Sequence, residues 1–131
     1  MTSQTILVVD DDTAILDMIT QVLIEEDYQV VTANNGRSAV DLAHEQLPQL
    51  ILLDLMMPEM NGWQVVEALR ISPKTRPIPI LLLSARREMA SAAGELGVTA
   101  YLEKPFDLDE LLDRVQHLLR LTTTPPAEST L

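Results

Sequence analysis

Cysteine is absent from this chain of 131 residues, and basic side chains are scarce, with 9 Lys plus Arg against 20 Asp plus Glu. The first absence excludes thiol catalysis, thiolate zinc sites and a disulfide framework. The second leaves a formal net charge of -11. Phosphate contacts need clustered Lys and Arg, so this balance predicts no direct nucleic-acid binding by the segment and disfavours anionic membrane surfaces. No apolar run approaches the roughly 20 residues of a membrane span. The opening Met1-Thr2-Ser3-Gln4-Thr5 lacks the basic and apolar stretches of a signal peptide. The expectation is an acidic, soluble, cytoplasmic domain. Its length suits a single domain, which usually runs to roughly 100–200 residues.

What is present is a recurrent pattern. Apolar runs stand at Ile6-Leu7-Val8-Val9, Val30-Val31, Leu50-Ile51-Leu52-Leu53 and Ile80-Leu81-Leu82-Leu83, with a weaker fifth at Ala100-Tyr101-Leu102. Continuous runs bounded by polar residues are the mark of strands buried on both faces, as in parallel sheets. Between them lie helical patterns over 14–25, 37–46, 62–70 and 86–96. The first of these puts Ile15, Ile19, Val22 and Leu23 on one face. A fifth helix starts with Asp107 as N-cap, Glu110 three residues on, and Phe106 and Leu111 as a hydrophobic staple. Residues 122–131, rich in Thr and Pro, read as a disordered tail or linker after a domain spanning 1–121.

Five strand-then-helix units predict an α/β fold, a doubly wound five-stranded parallel sheet with five helices. Right-handed crossovers make the flavodoxin-like order 2-1-3-4-5 the natural choice at this size. Ligands in such sheets bind at the carboxyl ends of the strands, where strands 1 and 3 diverge. The residues following each run are therefore the ones that matter. They are Asp10, Asp11 and Asp12 after the first, Asp54 after the third, Ser84 after the fourth and Lys104 after the fifth.

An isolated Asp at such a position is ordinarily a turn residue. The set is different, because each member occupies the same slot of a different unit. Carboxylates crowded together repel one another unless a cation or protons neutralise them. The cation that binds one or two carboxylates, keeps waters and engages phosphate is Mg²⁺. A carboxylate beside it can attack phosphorus to give an aspartyl phosphate. Lys104 would then offer a compact positive charge and Ser84 a hydrogen bond to phosphoryl oxygens.

Four segments, ILVVDDD (6–12), ILLDLMMPEMNG (51–62), ILLLSAR (80–86) and YLEKPF (101–106), make the chain resemble the receiver domain of two-component response regulators. The resemblance implies that Asp54 is the phospho-acceptor and that Asp10, Asp11, Asp54 and the main-chain carbonyl of Met56 hold Mg²⁺. It implies that the Ser84 hydroxyl follows the phosphoryl group while Tyr101 turns inward. Lys104 matches the family's lysine, the Lys104–Pro105 bond is cis in relatives, and Pro58 and Gly62 match residues that shape the site. Implied too are a sensor histidine kinase or phosphotransfer protein as donor, an effector as target, and a signalling role rather than enzymatic turnover. Output would use the face of the fourth helix, fifth strand and fifth helix, roughly residues 86–121. Relatives that bind DNA and dimerise there carry an acidic pair where this chain has Thr99 and Ala100.

Two rival functions account for parts of the pattern. A haloacid dehalogenase-like Mg²⁺-dependent phosphatase would use Asp10 and Asp12 as an Asp-x-Asp signature, with Ser84 and Lys104 as its later motifs, but would leave Asp54 idle. A degenerate receiver would only bind partners. Asp12 is assigned to the turn, His44 and His117 to solvent-facing helix positions, Trp63 to packing beside the third loop, and Met56 and Met57 to space filling. Met56 and Arg86, two residues past Asp54 and Ser84, flank the approach of a hydrolytic water, which predicts a slowly resetting phosphorylated state.

Overall fold

A computed structural model describes residues 4–57, 59–84 and 98–122, with the backbone alone at positions 84, 121 and 122. Its elements in chain order are β1 (Thr5–Val9), α1 (Thr13–Glu25), β2 (Gln29–Ala33), α2 (Gly36–Gln46), β3 (Leu50–Asp54), α3 (Gly62–Ile71), β4 (Ile80–Ser84), β5 (Ala100–Glu103) and α4 (Leu108–Thr122). The strands form one parallel sheet in the order β2-β1-β3-β4-β5, as the pattern of apolar runs predicts. Four of the five expected helices are among the described residues. The one expected over 86–96 lies outside them, as do Arg86, Pro58 and residues 123–131. The last helix runs through Thr122, one residue past the expected boundary.

The central strands show why their sequences are continuous apolar runs. On one face Leu7, Val9, Ile51, Leu53, Ile80 and Leu82 pack with Ala39 and Ala43 of α2 and Val65, Val66 and Leu69 of α3. On the other, Ile6, Val8, Leu50, Leu52, Leu81 and Leu83 pack with Leu16, Ile19 and Leu23 of α1 and Leu111, Val115, Leu118 and Leu119 of α4. Successive strand residues point to opposite faces, so every position needs an apolar side chain. In α1 the buried stripe is Leu16, Ile19 and Leu23, with Ile15 and Val22 only half-buried. The expected stripe was therefore rotated by part of a turn.

The helix starts are specified locally. Asp12 accepts hydrogen bonds from the amides of Ala14 (2.9 Å) and Ile15 (3.3 Å), making it the N-cap of α1. Asn35 caps α2 through the Ser38 amide, and Asn61 with Gln64 forms a reciprocal capping box on α3. At the start of α4 the Asp107 carbonyl accepts from the Leu111 amide, and Phe106 packs on the cluster that holds Leu111.

The far end of α3 is closed by bonds to the turn that follows it. The buried Thr75 hydroxyl donates to the Leu69 carbonyl at 2.7 Å, and Arg76 donates to the carbonyls of Arg70 and Ile71. Arg70 in turn donates to the carbonyls of Arg76 and Ile78. These bonds satisfy carbonyls that a helix terminus leaves orphaned. Thr75→Val keeps the shape but removes the donor, and it should cost about 1–2 kcal/mol. Urea denaturation checks this: an unchanged midpoint would show that the buried hydroxyl is dispensable.

Candidate functional site

The sheet register assembles the site. Val9 pairs with Leu53, so Asp10 and Asp54 emerge side by side from adjacent strands. Asp54 pairs with Leu83 of β4, and Ser84 pairs with Glu103 of β5, immediately before Lys104. Four of the sequence-selected side chains meet here. One carboxylate oxygen from each of Asp10, Asp11 and Asp54 lies within 4.8 Å of the other two. The Lys104 ammonium lies 3.2 Å from Asp54 Oδ1 and 3.4 Å from Asp10 Oδ2. Asp10 and Asp54 are buried while Asp11 faces solvent.

Each acid has a different environment. Asp10 Oδ1 accepts from the Asp12 amide at 2.9 Å, which fixes the turn after β1. Asp54 Oδ1 receives a long contact of 3.4 Å from the Met56 amide. Burial and the neighbouring Asp10 charge push the Asp54 carboxyl above its ordinary range, and Lys104 and the Met56 amide only partly offset them. Burial acts to lower the Lys104 pKa, but Asp54 and Asp10 together outweigh it and hold the ammonium above its ordinary value. The site therefore contains a carboxylate that is short of positive charge beside a firmly protonated lysine.

The third acid of the run has another job. Asp12 spends its carboxylate on the α1 cap, so the Asp-x-Asp signature of a phosphatase lacks its second member. Tyr101 is half-buried on β5, and its carbonyl accepts from Arg114 of α4 at 2.8 Å. Of Ser84, only the backbone at the end of β4 is described. The Lys104–Pro105 bond is cis. Gly62 opens α3 with its amide on the Leu55 carbonyl, and a Cβ there would sit 2.7 Å from Leu55 Cα. That close approach closes the loop carrying Met56. Met57 is buried as expected, but Met56 is 57% exposed, so it does not fill space as its sequence position had implied. His44 and His117 face solvent, and Trp63 packs partly against the α2–α3 side of the core.

Sequence reading missed the Asn61–Gln64 capping box, whose Asn-x-x-Gln spacing was present, and the close approach of Gly36 to Met60, which no local pattern announces. No helix among the described residues is long and apolar enough to cross a membrane.

Comparison with known proteins agrees with this geometry. Residues 6–116 match the family model described as the response regulator receiver domain. The chain is 40% identical over 123 residues to the DNA-binding dual master transcriptional regulator RpaA of Synechocystis sp., covering 92% of this chain and 51% of that protein. It is 42% identical over 120 residues to the response regulator MprA of Mycolicibacterium vanbaalenii, covering 90% and 51%. It thus spans about half the length of these curated relatives. Among solved structures, the chemotaxis response regulator CheY4 of Vibrio cholerae superposes with a TM-score of 0.85 at 33% identity, over 89% of this chain and 99% of that one.

Proposed function

The chain belongs to the family of response regulator receiver domains, and from that premise we propose that it accepts a phosphoryl group on Asp54. The observation that carries the reading is the meeting of Asp10, Asp11, Asp54 and Lys104 at one edge of the sheet. An Asp54 oxygen attacks the phosphorus of a phosphohistidine on a sensor kinase or phosphotransfer protein. The P–N bond breaks, its electron pair returns to the imidazole, and a carboxylate–phosphate anhydride forms. Lys104 stays protonated and faces the negative charge that gathers on the transferred oxygens.

The donor set fits a hard divalent cation: three carboxylates within reach of one another, with one ammonium, Lys104, beside two of them. Asp10, Asp11, Asp54 and the Met56 carbonyl would hold Mg²⁺, which supplies neutralisation of the phosphoryl oxygens. The Ser84 hydroxyl then donates to one of those oxygens, and Tyr101 follows inward, altering the face built on β5 and α4. A groove of about 400 Å³ beside Lys104, lined by Ile15, Met18, Pro105 and Phe106, gives the donor protein an apolar seat next to the acceptor. By analogy with the regulators it resembles, the output is control of transcription through an effector, and the segment itself does not bind nucleic acid.

Incubation with acetyl phosphate and Mg²⁺ tests the assignment. Intact-mass spectrometry should show one added phosphoryl group in the parent and none in Asp54→Ala. Label retained by that variant would place the acceptor elsewhere.

A further inference from the structure

Gly36 is the first residue of α2, directly after the Asn35 cap. Alanine is the better helix former there by up to about 1 kcal/mol. The reason for glycine is space. A Cβ at position 36 would lie 2.8 Å from Met60 Cβ, 2.8 Å from Met60 Cγ and 2.8 Å from the Met60 carbonyl oxygen. Two of these atoms belong to the main chain or its first side-chain carbon, so no rotamer change of Met60 relieves the contact. The β3–α3 loop must move.

That loop is the one that bears on the site. It begins at Leu55, carries Met56, and is closed by the Gly62 amide on the Leu55 carbonyl. Next to Met60, Glu59 sits at φ 65°, a left-handed conformation that costs a non-glycine residue energy. Such a residue persists only where its surroundings hold it. The Asn61–Gln64 box holds the loop from the α3 side, and the bare Cα of Gly36 receives it from the α2 side.

We infer that Gly36 is a positioning residue for the cation site, setting the β3–α3 loop so that the Met56 backbone faces Asp54. The inference rests on the Mg²⁺ reading above and adds to it a residue on a different element, with no ligand atom of its own.

Calorimetric titration with Mg²⁺ alone, without phosphodonor, tests it. Gly36→Ala should bind Mg²⁺ about ten-fold more weakly, the scale at which outer supports of a metal site act. Its melting temperature without metal should fall modestly, because the helical preference of alanine offsets only part of the cost of displacing the loop. Phosphorylation by acetyl phosphate should need more Mg²⁺ for half-maximal rate but reach a similar maximum. Met60→Gly, which removes the resting contact without adding bulk, should also weaken Mg²⁺ binding and covers the case in which the alanine variant folds poorly. Asp11→Asn serves as control. If Asp11→Asn weakens binding and both loop variants bind as the parent does, the positioning role is overturned and the cation site stands. If the parent itself binds no Mg²⁺, both fall.

Discussion

Lys104→Met is expected to lower folding stability by about 3 kcal/mol at neutral pH, because removing one partner of a buried ion pair strands the other charge. The figure sits at the low end of that range because the lysine side chain remains 21% exposed, against 1% for Asp10 and 6% for Asp54. The same change should slow phosphorylation by acetyl phosphate about 10²-fold, as loss of one preorganised charge toward developing negative oxygens does. Both effects have a signed pH dependence. The Lys104 pKa is raised in the folded state, so its stabilisation is fully present below the ordinary lysine value and disappears as pH rises through the folded one. The gap between parent and variant should therefore close in strongly alkaline solution. It should also narrow in acid, where Asp54 takes up a proton and no longer needs a counter-charge. Guanidinium denaturation at pH 4.5, 7 and 11 checks the pattern, and a constant difference across that range would show that the lysine acts by packing.

Asp54→Asn should do the opposite and raise the stability of the metal-free protein near neutrality, because the charge that burial and Asp10 disfavour is gone. The Asp54 carboxyl has a raised pKa, caused by burial and then by Asp10. The folded state binds its proton more tightly than the unfolded state does. The parent therefore gains stability as pH falls through the folded value toward the ordinary one, and lacks that gain at pH 7. Asparagine resembles the protonated acid at every pH, so the two curves should converge as pH falls below the ordinary aspartate value. Asp10, 3.4 Å from the Lys104 ammonium in the parent, should keep that ammonium paired in the variant. Thermal melts from pH 4 to 8 decide the matter: a variant less stable than the parent at pH 7 would mean that Asp54 stabilises the fold as an anion.

The sequence made the sheet legible for a physical reason. Residues such as Leu50-Ile51-Leu52-Leu53 are buried on both faces, so composition alone marks them, and the strand ends then follow. Asp10 and Lys104 were legible because they sit one step beyond those ends, and Asp54 because it is the last residue of β3, directly after the apolar run. Helix phase was harder. Ile15 and Val22 are as apolar as Leu16, and only the angle at which α1 meets the sheet selects Leu16. The bonds of Thr75, Arg70 and Arg76 join residues of a tight α3–β4 connection whose path no pattern of hydropathy specifies. Met56 shows the limit from another side, since adjacency to Asp54 in sequence does not decide whether a side chain turns in or out.

The register of β1 on β3 carries a consequence for how such a chain can change over time. The hydrogen bonds that pair Ile6 with Leu50 and Val9 with Leu53 also fix the spacing of Asp10 and Asp54. Sliding one strand by a residue would reverse its inward and outward side chains and part the two acids in the same movement. Drift in that spacing is thus purged as misfolding before it is tested as signalling. The connections at the opposite pole, Glu26–Tyr28 and Leu47–Gln49, carry no such double duty. Insertions there should be inherited freely, so lineages can diverge in length at one end of the sheet while the chemistry at the other end stands still.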